Sequence, residues 1–163
     1  MTNFMGKNLK NPIIASSCIA TESVPNILKL VDNDIQGVIL KSCSEYSRGE
    51  YTGKRQFAMG DDGYAYASSP YKKEILTLEE CLHIMTRIRN QVDIHVIPSF
   101  SACSLSPEEW VPACEKLEKS GADGIQLDFF YMGSIIGTAQ FSEKIVYLLK
   151  ALRQNVKAPI MQN

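Results

Sequence analysis

Lys41 and Asp128 each close a short run of apolar residues, GVILK and GIQLD. A charge at the end of a buried strand is costly unless it meets an opposite charge, a hydrogen-bond partner or an electron-rich ring. Ala15, Ser16 and Ser17 close a third run, Ser42 follows Lys41, and Ser99 to Ser101 follow IHVIP. In parallel α/β proteins the strand ends share one rim, and ligands bind there. The small residues after the first strand would let a flat ring approach the backbone. Each residue also has a structural role open to it. Lys41 can reach solvent past the rim, and the serines can form turns. Asp128 can cap the following helix, pair with Lys41 or hold a ligand. The aromatics Phe129, Phe130 and Tyr131 can pack or form a stacking wall. His83, inside a helical pattern, and His95, one residue into a strand, read as structural.

The elements that must position these residues alternate along the chain. Strands are predicted at Pro12–Ser16, Gly37–Lys41, Ile94–Pro98, Gly124–Asp128 and Pro159–Met161, with the β-branched character of a sheet buried on both faces. Helices are predicted at Pro25–Val31, at Thr77–Asn90, from Ser106 to Ser120 and at Ser142–Leu152, each with apolar residues at helical spacing. Thr77 with Glu80 and Ser106 with Glu109 have capping-box spacing, Pro107 sits at a first helical position, and Gly121 is a stop. Repeated βα units imply a parallel α/β fold. A (β/α)8 barrel and an open doubly wound sheet are the two candidates. The barrel is preferred because neither a G-x-G-x-x-G turn nor a Walker loop is present. Residues 42–76 interrupt the rhythm, and the GDDG turn between Arg55–Met59 and Tyr64–Ala67 predicts a small hairpin inserted after the second strand, over the mouth of the strands.

Composition sets the outer bounds. The 163 residues suffice for one domain with a core, and 45% apolar with 21% charged residues is ordinary for a soluble globular protein. A formal charge of -1 offers no attraction to nucleic acid or an anionic membrane. No apolar run approaches a bilayer span, and the first residues lack a signal-peptide pattern. Five scattered cysteines without a C-x-x-C pair fit reduced thiols in a cytoplasmic protein. With only two histidines, a metal centre is not expected.

Three stretches carry a resemblance. FMGKNLKNPIIASS, VILKS and SPEEWVPACEKLEKSGADGIQLD are similar to the class 1 dihydroorotate dehydrogenase and dihydropyrimidine dehydrogenase barrel family, over nearly the whole chain. The resemblance implies a flavin mononucleotide (FMN) barrel that oxidises dihydropyrimidines or reduces pyrimidines at a CH–CH bond. It places Ala15, Ser16 and Ser17 against the flavin, with serine where the family has glycine. It places Lys41 and Ser42 beside flavin and substrate, Lys41 also as a catalytic-site residue, and Asp128 where the family carries a flavin-contacting asparagine.

The sequence departs from the family in three places. The family's base, a cysteine or serine, aligns with Tyr131, and an ordinary phenol titrates near 10, too high for a base at neutral pH. The pyrimidine-gripping loop aligns with Ala65 to Tyr71, without its amides, and the strand-five lysine falls near Asn163. A full barrel takes about 250 residues, whereas residues 1–163 read as one partial-barrel domain of four βα units and the start of strand five: a fragment, one subunit of a two-part barrel, or a self-pairing half. The expected partners are a small pyrimidine-like substrate and either a second copy or a second half-barrel chain. A degenerate, non-catalytic half barrel that binds a partner chain or flavin is the alternative. A barrel using Lys41 as a Schiff-base lysine is a weaker third reading.

Overall fold

A computed structural model describes residues 2–45, 56–68, 75–129, 132, 138 and 140–162. Five stretches of strand run parallel, in the order in which they occur along the chain. β3 (Ile14–Ala15) pairs with β4 (Gly37–Ile39), and β4 pairs with β9 (His95–Ile97). Past β4 the chain continues as β5 (Cys43–Ser44), and past Pro98 β9 continues as β10 (Ser99–Phe100). β10 pairs with β5 on one side and with β11 (Ile125–Leu127) on the other, and β11 pairs with β12 (Ile160–Gln162). The Leu40 amide bonds to the Ile97 carbonyl at 2.8 Å and so bridges the two sections. A further parallel stretch at Leu76–Thr77, which follows β5 in the chain, pairs with β5 on the side away from β10.

Four helices cover one face: α1 (Val24–Val31), α2 (Leu78–Arg89), α3 (Pro107–Lys119) and α4 (Phe141–Asn155). Strand alternation sends Val38, Leu40, Val96, Phe100, Ile125 and Leu127 toward these helices, where they join Ile27, Met85, Ile88, Trp110, Leu117, Leu148 and Leu152 in a single buried core. Full burial of each such side chain contributes about 1.5–3 kcal/mol. Cys43 also belongs to this core, three residues after Leu40. That odd step breaks the two-residue period, and Ser42 consequently faces the other side of the sheet.

The caps explain the boundaries. Thr77 and Glu80 form the predicted capping box, the Thr77 amide donating to Glu80 Oε2 at 2.7 Å and the Glu80 amide to Thr77 Oγ1 at 3.1 Å. The second predicted box does not form. Ser106 donates to Glu108, and Glu109 instead accepts the amides of Cys103 and Ser104 at 3.1 and 3.2 Å. The carboxylate still satisfies N–H groups before the helix, though not that of Ser106. Gly121, at φ +88°, ends α3 in the left-handed conformation that glycine adopts without strain.

Two antiparallel hairpins occur among the described residues. The predicted one is present as β6 (Gln56–Met59) and β7 (Ala65–Ser68), while Arg55 lies outside the described residues. β8 (Leu76–Thr77) then pairs parallel with β5 before α2 begins. The other hairpin, β1 (Thr2–Phe4) with β2 (Lys7–Leu9), turns on Met5 and Gly6, both at positive φ. Sequence reading missed it because methionine is not a turn former.

That N-terminal hairpin lies against the start of β9. Phe4 meets the ring of His95 edge-on, with centroids 5.7 Å apart, and Lys7 pairs with Asp93 at 2.9 Å. Asp123 accepts from Arg89 and from the Val96 amide, tying α2, β9 and the loop before β11 together. His95 is fully buried, and neither ring nitrogen has a hydrogen-bond partner; the nearest carboxylate oxygen, on Asp123, is 3.6 Å away. Burial pushes the His95 pKa below its ordinary value; Asp123 opposes the shift, and Lys7 and Arg89 add to it. The unfolded chain takes up its proton near pH 6.5 and the folded chain only at lower pH, so stability falls as pH drops from about 6.5 toward the folded value. Urea midpoints at about pH 7.5 and 5.5 should show that loss in the wild type, and a smaller loss in His95→Leu. Equal losses would remove His95 as its source.

Candidate functional site

At the C-terminal ends of the strands, the face opposite the helices carries polar side chains. Ser42 is the hub. Its hydroxyl donates to Asp128 Oδ2 at 2.6 Å and lies 3.1 Å from Ser99 Oγ and 3.4 Å from Ser17 Oγ. Gln126 Nε2 donates to Ser99 Oγ at 2.9 Å. Ser42, Ser99, Gln126 and Asp128 are all buried, with Asp128 only 4% exposed. A buried carboxylate is tolerated when hydrogen bonds replace its hydration, and a charge-assisted hydroxyl bond at 2.6 Å is a strong one.

Parallel register creates this cluster. Ser99 stands opposite Gln126, and Phe100 opposite Leu127. The ladder continues one step further: the Asp128 amide donates to the Phe100 carbonyl at 2.8 Å, and the Ser101 amide donates to the Cys43 carbonyl at 2.9 Å. Ser101 therefore stands beside Asp128 on the next rung, facing the same way as Ser99. The lower rung is closed by the Gln126–Ser99 bond. On the upper rung, the buried Ser101 hydroxyl has no hydrogen-bond partner.

Of the residues singled out in the sequence, Ser17, Ser42 and Asp128 are brought into one cluster. Ala15 ends β3, half-buried, and Ser16 is exposed, its carbonyl accepting from Thr21 Oγ1 at 3.4 Å. Lys41 is half-buried beside the hub, and among the described residues its ammonium has neither an ion pair nor a hydrogen bond. The Asp128–Lys41 pair considered above does not form among the described residues, and the next described α-helix, α4, starts only after Gln140. Phe129 packs, 2% exposed and 5.1 Å from the ring of Trp110, and takes no part in a stacking wall. Phe130 and Tyr131, the positional candidate for the base, lie outside the described residues, as do Ser69 to Tyr71 of the pyrimidine-loop region and Asn163. His83 is exposed on α2. Gln126 was missed, although a polar residue two places before Asp128 in an apolar strand shares its face. Ser99 was noted at a strand end but not as part of the site.

The buried thiols behind the sheet are poor nucleophiles. Cys43 is raised well above the ordinary thiol value, first by its hydrogen bond with Cys81 and then by burial, and burial pushes Cys114 up to about 12. Among the described residues no group of histidines, cysteines and carboxylates is placed to hold a metal ion, and no helix is long and apolar enough to cross a membrane.

If Ser42 is the hub, Ser42→Ala removes the donor to Asp128 and leaves a buried carboxylate short of one bond. That should cost about 1–3 kcal/mol. Exposed Ser16→Ala should stay within about 0.5 kcal/mol of wild type. Urea unfolding of both variants checks this, and equal midpoints would remove Ser42 from its central place. Comparison of the chain with protein-family models found no match, and comparison with curated proteins found none.

Proposed function

We propose that this chain builds the first half of a (β/α)8 barrel that binds FMN at its strand ends and serves an oxidoreductase acting on the CH–CH bond of a pyrimidine-type ring. The observation that carries this reading is the meeting of Ser17, Ser42 and Asp128. They follow three different strand stretches and form one hydrogen-bonded cluster, with Lys41 next to Ser42 in the chain. The parallel stretches β3, β4 with β5, β9 with β10, β11 and β12 in chain order, backed by the core shared with α1 to α4, suit a barrel, with β8 as an added strand beyond β5.

The groups present suit a flavin ring. Its pyrimidine edge alternates carbonyl acceptors with one N–H donor. Lys41 supplies a cation without a partner among the described residues, Ser101 a buried hydroxyl without one, and Asp128 an acceptor. Flavin, when bound, supplies the hydride chemistry. The chain's part is to hold the ring: Lys41 faces its electron-rich edge, and the serine cluster fixes Asp128 in place. β3, β8 and β12 each have a single neighbour among the described strands, so a closed barrel would need further strands beyond β12.

Tyr131, where the family has its base, favours a second reading, in which the barrel half binds flavin or a partner chain without turnover. The visible spectrum of the purified chain with FMN added, followed by dihydropyrimidine oxidation, separates the two. Lys41→Ala should weaken FMN binding about tenfold or more, a loss of about 1.4 kcal/mol. Unchanged binding would take Lys41 out of the site, and no binding by the wild type would defeat the flavin reading.

A further inference from the structure

The N-terminal hairpin covers the other end of the polar face. Val96 joins the helix-facing core, so alternation turns its neighbour His95 to the opposite face. Gly124, one residue before Ile125, points the same way, and a Cβ there would lie 2.5 Å from Met5 Sδ. The hairpin thus lies across the N-terminal ends of β9 and β11, with Phe4 on the His95 ring and Met5 on Gly124. Leu9, buried, and the Lys10 amide, which donates to Gln36 Oε1 at 2.7 Å, hold its far end. The rest is lightly attached. Thr2, Asn3, Gly6 and Asn8 are exposed, and β1 and β2 pair only with each other. Among the described residues no backbone hydrogen bond joins residues 2–9 to the rest of the chain. Met5 sits at φ +48°, where a residue with a Cβ is strained. Few buried contacts and a strained turn mark a unit that can open on its own.

What the hairpin covers is a titratable ring, fully buried and with neither nitrogen bonded. The charged groups around His95 come from four elements: Lys7 on β2, its partner Asp93 before β9, Arg89 on α2 and Asp123 before β11. Asp123 lies 3.6 Å from Nδ1, but its Oδ2 already takes Arg89 and the Val96 amide, and Lys7 and Arg89 both oppose a positive ring. Among the described residues an imidazolium therefore finds no uncommitted acceptor while the hairpin is seated, and departure of Phe4 would give it water. We infer that His95 is an acid-operated latch: protonation of its imidazole releases the β1–β2 hairpin from the strand ends while the sheet and helices stay folded. The released hairpin melts, because two strands alone are marginal in water. Release bares the N-terminal end of the polar face, and the latch does not depend on what the serine cluster at the other end binds.

The test is hydrogen exchange of the full chain at about pH 7.5 and 5.5, read by mass spectrometry as opening constants corrected for intrinsic exchange at each pH. In the wild type, the opening constant of residues 2–9 should rise several-fold in acid, with about tenfold as the ceiling that an open-state pKa near 6.5 allows. At both pH values residues 2–9 should open at least about a hundredfold more often than β4, because the hairpin leaves without the sheet. In His95→Leu the response of residues 2–9 to pH should disappear. His95→Gln, neutral and polar, replaces that variant if the leucine does not fold, and the same loss is expected. Opening of residues 2–9 that ignores pH in the wild type, or a response that survives the substitution, would overturn the role of His95. Residues 2–9 and β4 opening equally would show unfolding of the whole chain and overturn the latch.

Discussion

The site depends on the register between β10 and β11. With Ser99 opposite Gln126 and Phe100 opposite Leu127, every polar side chain on these two strands faces away from the helices and every large apolar one faces them. A slip of one residue would drive Asp128 into the helix-facing core and expose Leu127, a double penalty of a buried unpaired charge and lost apolar burial. Register is therefore enforced from both faces. Phe100, wedged at 5.3 Å against Trp110, and Trp110 itself, whose indole N–H bonds the Ser104 carbonyl, anchor β10 from behind.

A sheet with such different faces has an energetic asymmetry. The helix side gains from contiguous apolar contact and tolerates small volume changes only at a cost. The opposite side is held by a few short hydrogen bonds among Ser17, Ser42, Ser99, Gln126 and Asp128, so its stability is concentrated in single atoms. The break in alternation between Leu40 and Cys43 connects the two. It keeps Cys43 in the apolar core while turning Ser42 to the polar face. A regular strand could not do both.

The strands and helices were largely legible because period-two and helical spacing are local properties, and capping chemistry such as Thr77 with Glu80 is more local still. The limits of legibility were also physical. The Met5–Gly6 turn has no compositional signal at its first position, and the carboxylate of Glu109 found nearer amides than the one its spacing pointed to. At the rim, strand ends named Ser17, Ser42 and Asp128, but their hydrogen bonds span 25 and 86 residues, and nothing local encodes which partner wins. Asp128 was weighed against Lys41 on charge, yet a short hydroxyl bond took it instead. Gln126 was concealed by its apolar neighbours, although its parity with Asp128 was available.

The distribution of cysteines has a practical consequence. Cys43, Cys81 and Cys114 are sealed in the helix-facing core, while Cys18 and Cys103 are exposed. Cys18 follows Ser17, and Cys103 comes two residues after Ser101, so the accessible thiols flank the strand ends and the inaccessible ones lie behind the sheet. A thiol-directed fluorophore added to the native protein would thus report from the edge of the polar cluster without any engineered cysteine.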